Sequence, residues 1–263
     1  MSEKAARSIG SATISFGLVS VACKIYSATK DNSLSFNLLH KGCGSRLSQQ
    51  YICQKEGCVV PRADMIKGFE VAKDQYIQFT AEELKSLEEK STYTIEITEF
   101  VPIAKVDPIF FDKPYFLGPD KGGNKAYSLL AEALRRSEKA ALARYAARGK
   151  QYIVLLRPVA DGMIMQTLLY SDEVRTIKDV PLDPVAIKDA ELMLALQLVS
   201  TLACPDFTPE KYKDEVRERV EAAIQAKIDG KEVTVSNPDP APQIVDIMEA
   251  LKASLGMAAQ SQV

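Results

Sequence analysis

The chain has no tryptophan and only one histidine, His40, among its 263 residues. One imidazole excludes HExxH zinc hydrolysis and any three-histidine metal site. There is no GxxxxGK[ST], no GxGxxG after a strand and no GxSxG. Nucleotide hydrolysis, dinucleotide binding and α/β-hydrolase chemistry therefore lack local support. A hydrolase built on paired carboxylates finds no supporting spacing either. Long apolar runs are missing too. The longest, around Leu192 to Cys204, is broken by Gln197, Ser200 and Thr201 and is too short to span a bilayer. The residues from Met1 to Gly10 lack the apolar core of a secretory signal. Five cysteines, an odd count, do not read as a secreted disulfide framework. The expectation is a cytoplasmic, reducing location with no membrane partner.

A large excess of one charge is also missing. The chain has 33 Lys and Arg against 35 Asp and Glu, a net charge of −2. That excludes a uniformly basic coat for nucleic acid. The charge is nevertheless segregated. Residues 1–80 carry +4, 81–120 carry −5, 121–157 carry +7 and 158–263 carry −8. If the two basic blocks meet in the fold, they make a local field for phosphate.

What is present is a globular composition, 46% hydrophobic and 26% charged. Near-alternation of Ile14, Phe16, Leu18, Val19, Val21 and Ile25 predicts a strand over Ser11–Tyr26, with Gly17 a bulge or close approach. Ser33–Leu39 reads as a second strand, and Ile66–Phe79 as two short strands around Lys73-Asp74. Thr80 and Glu83 fit a capping box. Tyr93–Phe100 alternates as a strand. Prolines over 102–119 predict edge strand and turn. Asn124 is set to cap a helix to about Arg136. Tyr152–Leu156 and Met163–Tyr170 read as a hairpin around Asp161-Gly162. Val185–Ala203, apolar nearly all round, predicts a buried or interface helix. Thr208–Ile228 predicts a charge-laced helix ending at Gly230. A Pro-rich linker over 237–242 precedes an apolar stripe of Ile244, Ile247, Met248, Leu251 and Leu255. That stripe suits a tethered peptide for a partner's groove or a helix packed on its own core.

The lone histidine sits among cysteines. His40, Cys43, Cys53 and Cys58 form H-x₂-C-x₉-C-x₄-C, flanked by Gly42, Gly44 and Gly57. Four borderline-soft ligands on two tight turns are what a tetrahedral zinc takes, although x₉ is shorter than the usual loop between knuckles. Such a site is structural, because four protein ligands leave no open position. A zinc deaminase is excluded: Gly42 stands where its glutamate belongs, and no PCxxC follows. Cys23 and Cys204 read as core thiols.

The stretches Ser11-Ala12-Thr13-Ile14-Ser15-Phe16-Gly17-Leu18-Val19 and Lys24-Ile25-Tyr26-Ser27-Ala28-Thr29 resemble the start of the bacterial Ku core. Phe36 to His40, Ile66-Lys67-Gly68-Phe69-Glu70, Tyr115 to Gly123, Tyr127 to Leu134 and Tyr212 to Gly230 fit the same family in the same order, over roughly residues 8 to 230. Val245 to Leu251 fits too. The resemblance implies an α+β, β-rich fold: a Ku-core β-barrel with a bridge segment and a C-terminal helical arm, assembled as a ring-shaped homodimer. The domains so implied are a core over 1–205 that includes the bridge (about 30–80, zinc segment 40–58), a helical arm over 206–236, and a linker with a short helix over 237–263.

The implied function is threading onto double-stranded DNA ends without sequence preference, with recruitment of ligase D, in non-homologous end joining. Family members carry no nuclease, ligase or nucleotide-dependent activity, so no catalytic residue is expected. The implied location is cytoplasmic and nucleoid-associated. The Cys/His segment falls where the bridge is expected, and some bacterial members carry zinc ligands there. The chain departs from the family pattern in having no Trp near Ser8 to Gly10 and only Lys252 as a basic residue from Gln243 onward.

Sequence-independent binding rests on Lys and Arg contacts to phosphate. The expected contacts are Lys41, Arg46, Lys55 and Arg62 around the metal segment, and Arg135, Arg136, Arg144, Arg148 and Lys150 in the second basic block. For Lys139 to Gly149, alanine content favours helix, whereas the family places a strand, and the strand is the expectation adopted. A zinc-ribbon transcription or RNA-processing factor is the alternative, and would bind circular DNA or RNA as well.

Overall fold

A computed structural model describes residues 6–231 and 247–260. The linker at 237–242 and Ile244 lie outside the described residues. The chain divides into two compact units, Met1–Asp179 and Val180–Val263. The core expected over 1–205 runs past this division, which leaves the helix at Asp189–Leu202 in the second unit.

The first unit is a closed seven-stranded barrel. Its strands are β1 (Gly10–Phe16), β2 (Val19–Ser27), β5 (Thr94–Pro102), β6 (Phe111–Pro119), β7 (Lys139–Ala147), β8 (Lys150–Val159) and β9 (Gly162–Leu168), in the order β1-β2-β6-β9-β8-β7-β5. β5 closes on β1 in parallel, and every other pair is antiparallel. A closed barrel leaves no open sheet edge. Inward positions alternate as the pleat requires: Ala12 and Ile14 on β1, then Val21, Cys23 and Ile25 on β2, are all buried.

The strand expected over Ser11–Tyr26 is two strands. Phe16 pairs with Val19, and Gly17 takes φ +58° in the two-residue turn. Gly17 is therefore the reversal itself, a conformation glycine adopts without steric cost. The proline-rich β6 is not an edge strand but lies between β2 and β9. A register shift between Phe111 and Pro114 takes up the first proline, and Pro119 ends the strand. The β8–β9 turn is Ala160-Asp161, since Val159 pairs with Gly162. Residues 139–147 are strand, so barrel pairing overrides alanine's helix preference.

Helix α2 (Asn124–Ser137) starts one residue earlier than expected, with Gly123 at its cap. It buries Tyr127, Leu130, Ala131 and Leu134 in the same core as the inward strand residues. The Tyr127 hydroxyl donates to Leu117 O and accepts from Met163 N, so α2 closes one end of the barrel with its polar group satisfied.

Between β2 and β5, residues 29–80 form no packed layer. Ser33–Leu39, expected as a strand, contributes only the pairing of Leu39 with Arg46. β3 (Lys67–Ala72) and β4 (Gln75–Phe79) make a separate two-stranded sheet that turns at Asp74, φ 60°. α1 (Ala81–Leu87) has the predicted capping box of Thr80 and Glu83.

The second unit contains α3 (Asp189–Leu202), α4 (Glu215–Ile228) and α5 (Ile247–Gln260). α5 packs on α3. The helix expected over Val185–Ala203 is thus shorter, and Leu192, Met193, Leu196, Val199 and Leu202 are exposed on it rather than buried.

Candidate nucleic-acid interface

The bridge segment carries the densest set of predicted residues. From Thr29 to Thr80 every residue is exposed except Cys53, Val60, Met65 and Phe79, which are half-buried. Its first half is two turns of one design. His40 N donates to Ser45 O and Gly44 N to His40 O, each at 2.8 Å. Cys53 N donates to Cys58 O at 2.9 Å and Gly57 N to Cys53 O at 2.8 Å. Gly44 and Gly57 take φ +70° and +67°, which is why glycine stands at both places. Backbone pairs Leu39–Arg46 and Ile52–Val59 close the two turns.

In the first turn His40 Nδ1 lies 3.0 Å from Cys43 Sγ. Hydrogen bonds from the Ser45 side chain and then from His40 draw the Cys43 thiol down to about 7. In the second turn the place equivalent to Cys43 is held by Glu56, and Cys58, two residues on, approaches its carboxylate at 3.6 Å. The donor chemistry suits zinc, and each turn holds two of the expected ligands. Among the described residues, no three His, Cys, Asp or Glu side chains converge into one metal-holding group.

The first basic set is interleaved with these turns. Lys41 lies inside the first and Lys55 inside the second. Arg46 closes the first, and Arg62 opens a 3₁₀ turn over Arg62–Asp64. All four are exposed, and none has an ion pair among the described residues. Around them stand exposed Phe36, Leu38, Tyr51, Ile52, Phe69 and Tyr76. Sequence reading gave these no role. The signal for them was an apolar content that segment 29–80 has no second layer to bury.

The second basic set divides in two. Arg135 and Arg136 end α2 and both pair with Glu132, and Arg135 also donates to Ala160 O at 2.6 Å. The guanidiniums of Arg136 and Arg135 hold the Glu132 carboxyl below its usual range. Both lie in the last turn of α2, where a cation suits the helix C-terminus, and Arg135 ties that turn to the β8–β9 turn. Arg148 and Lys150 lie at the other end of β8. There Arg148 and Gly149 form the β7–β8 turn with φ 54° and 75°. A strand rises about 3.3 Å per residue, so the length of β8 separates the two groups by roughly 30 Å. Arg144 is exposed on β7, opposite Glu96 of β5 and Ile153 of β8. The structure therefore brings Arg148 and Lys150 together and does not bring Arg135 and Arg136 to them.

The molecule so described is a helix-plugged β-barrel protein carrying an exposed segment that is both apolar and cationic. Residues 15–194 match the family model described as the Ku70/Ku80 beta-barrel domain. The chain is 47% identical over 95% of its length to a Paraburkholderia phymatum protein named "Non-homologous end joining protein Ku", covering 83% of that relative. Relatives of the same name from Koribacter versatilis and Bacillus subtilis are 38% and 36% identical over 95% and 92% of this chain, covering 86% and 79% of their own lengths. The chain belongs to the bacterial Ku family. Among the described residues no helix is long and apolar enough to cross a membrane.

Proposed function

We propose that this chain binds double-stranded DNA ends without sequence preference as a homodimeric ring, and recruits ligase D for double-strand break repair by non-homologous end joining. The observation that carries the reading is the bridge segment, 29–80. It is exposed almost throughout, with Lys41, Arg46, Lys55 and Arg62 unpaired among apolar side chains. Cations of this kind neutralise phosphates of any sequence. The apolar side chains beside them suit burial against a second copy, and so does the exposed apolar face of α3. The protein acts by binding, without catalysis of its own, and works on DNA in the cytoplasm at the nucleoid.

In the same reading one structural zinc is held by His40, Cys43, Cys53 and Cys58. The support is donor chemistry and two matched turns, each bringing two ligands. Bound zinc would fold a segment too small to hold a core of its own. α5 and the linker before it are assigned to ligase recruitment, with α5 seated on α3 in the free chain.

The test compares binding to linear, nicked and covalently closed circular duplex of one sequence at fixed salt. Threading predicts binding to the linear form and little to the closed circle. Equal affinity for the two would refute it and favour the zinc-ribbon alternative.

A further inference from the structure

α2 fills one end of the barrel, and no described residue fills the other. A cavity of about 320 Å³ opens there. Its floor is the buried side chains of Ile25 and Met165. Four of the chain's ten tyrosines line it: Tyr93, Tyr115, Tyr145 and Tyr152. The rings of Tyr145 and Tyr152, neighbours across the β7–β8 pair, lie 6.4 Å apart and are tilted by 33°. Burial, then Tyr93 nearby, raises the Tyr145 hydroxyl's pKa.

Arg148, Lys113 and Asp112 also line the cavity. The Thr167 hydroxyl accepts from Lys113 N at 2.8 Å and shares its one hydrogen between Lys113 O at 3.1 Å and the Asp112 carboxylate at 3.2 Å. The carboxylate therefore keeps free acceptor sites. A cavity that merely reflects imperfect packing is apolar. This one is open, aromatic and charged, and its volume lies in the range of small-ligand sites.

The residues select the ligand's chemistry. A cation would suit the tyrosine faces, but two cations against one carboxylate repel it. A bare anion would suit Arg148 and Lys113, but has no use for four aromatic rings. A flat ring carrying an anionic group and a hydroxyl satisfies all three sets. We propose that the open mouth of the barrel binds a nucleoside monophosphate. Its base lies against Tyr145 and Tyr152, its phosphate against Arg148 and Lys113, and a sugar hydroxyl donates to Asp112. The source is a free nucleotide, because the 5′-phosphorylated residue at the end of a DNA strand has no 2′ hydroxyl and its 3′ oxygen is esterified.

The experiment is calorimetric and saturation-transfer NMR titration of the full chain with AMP, adenosine, ribose 5-phosphate and inorganic phosphate. AMP is expected to bind about tenfold more tightly than adenosine or ribose 5-phosphate, since each of these lacks one of its two anchors. Tyr152→Leu and Arg148→Asn should each weaken AMP binding by about tenfold. Asparagine tolerates the left-handed backbone at position 148, so that variant serves if Tyr152→Leu fails to fold. Tyr152→Leu should bind linear duplex as the unaltered chain does, which separates this site from the proposed end-binding surface. A 5′-phosphorylated deoxyadenosine trinucleotide, whose phosphorylated residue has no free sugar hydroxyl, should compete with AMP about tenfold less well than AMP itself. Competition equal to that of AMP overturns the hydroxyl contact to Asp112. AMP binding no tighter than ribose 5-phosphate or inorganic phosphate, or unchanged in both variants, overturns the proposal.

Discussion

Replacing Lys41, Arg46, Lys55 and Arg62 together by glutamine tests the bridge as the phosphate-binding element. All four are exposed and free of ion pairs among the described residues, so each cation is available to a phosphate. Each phosphate contact releases counterion and contributes about 0.9 to the slope of log K against log salt. Four contacts per engaged chain are therefore worth a slope of about 3.6, or roughly three to four decades of affinity at 0.1 M salt as an upper limit. The assay is fluorescence anisotropy of a short labelled linear duplex, titrated between about 50 and 200 mM salt. Arg135→Gln with Arg136→Gln is the comparison. Glu132 already neutralises part of that pair, and the length of β8 separates it from Arg148 and Lys150. It should leave the slope nearly unchanged. An unchanged slope in the fourfold variant, or most of the slope lost with Arg135 and Arg136, would refute the assignment of the bridge.

Elemental analysis of untagged protein should find about one zinc per chain. Cys43→Ser, Cys53→Ser and Cys58→Ser should each lose it, and Glu56→Gln should keep it. Tyr127→Phe removes a hydroxyl shared by Leu117 O and Met163 N and leaves both backbone groups without that partner. Urea unfolding should register a loss of about 1–3 kcal/mol. Burial pushes the Cys23 thiol up from 9.0 to about 11. The folded state therefore holds this proton where the unfolded state has lost it, and stability falls as pH rises from 9 towards 11. The slope approaches about 1.4 kcal/mol per pH unit. Cys23→Ala should remove this part of the alkaline destabilisation, and an identical decline in both proteins would contradict it.

The sequence displayed the barrel where period two and turn chemistry agreed. Ile14, Val21 and Ile25 are buried as their alternation requires, and Thr80 with Glu83 caps α1 as its spacing requires. It misled where one residue type serves two structures. Proline argued for an edge, but the shift at Pro114 lets β6 run inside the barrel. Glycine at 162 looked like a turn residue, but it begins β9 where a Cβ would stand 3.2 Å from the Tyr127 hydroxyl. The second basic block looked continuous because sequence distance hides strand length. Arg135 and Lys150 are fifteen residues apart in sequence but lie at opposite ends of β8. The tyrosine-lined mouth was invisible for the same reason: its tyrosines come from β6, β7, β8 and the segment before β5, and only barrel closure unites them.

Barrel and bridge solve opposite problems. The barrel buries its apolar faces against one another and against α2 in one core. The bridge cannot do this. A two-stranded sheet and two short hairpins are marginal alone in water, yet β3 and β4 expose Phe69, Val71, Tyr76 and Ile77. Apolar side chains held out on a cationic segment are costly in an isolated chain and useful in an assembly. A second copy can cover them while leaving Lys41, Arg46, Lys55 and Arg62 facing DNA. On this account two matched glycine turns, charge and exposed apolar surface are three parts of one device. In the proposed reading metal would fix the turns, a partner would bury the apolar side chains, and the cations would remain for phosphate. In the same reading the near-zero net charge is no obstacle, since cations need only be dense where a duplex would pass.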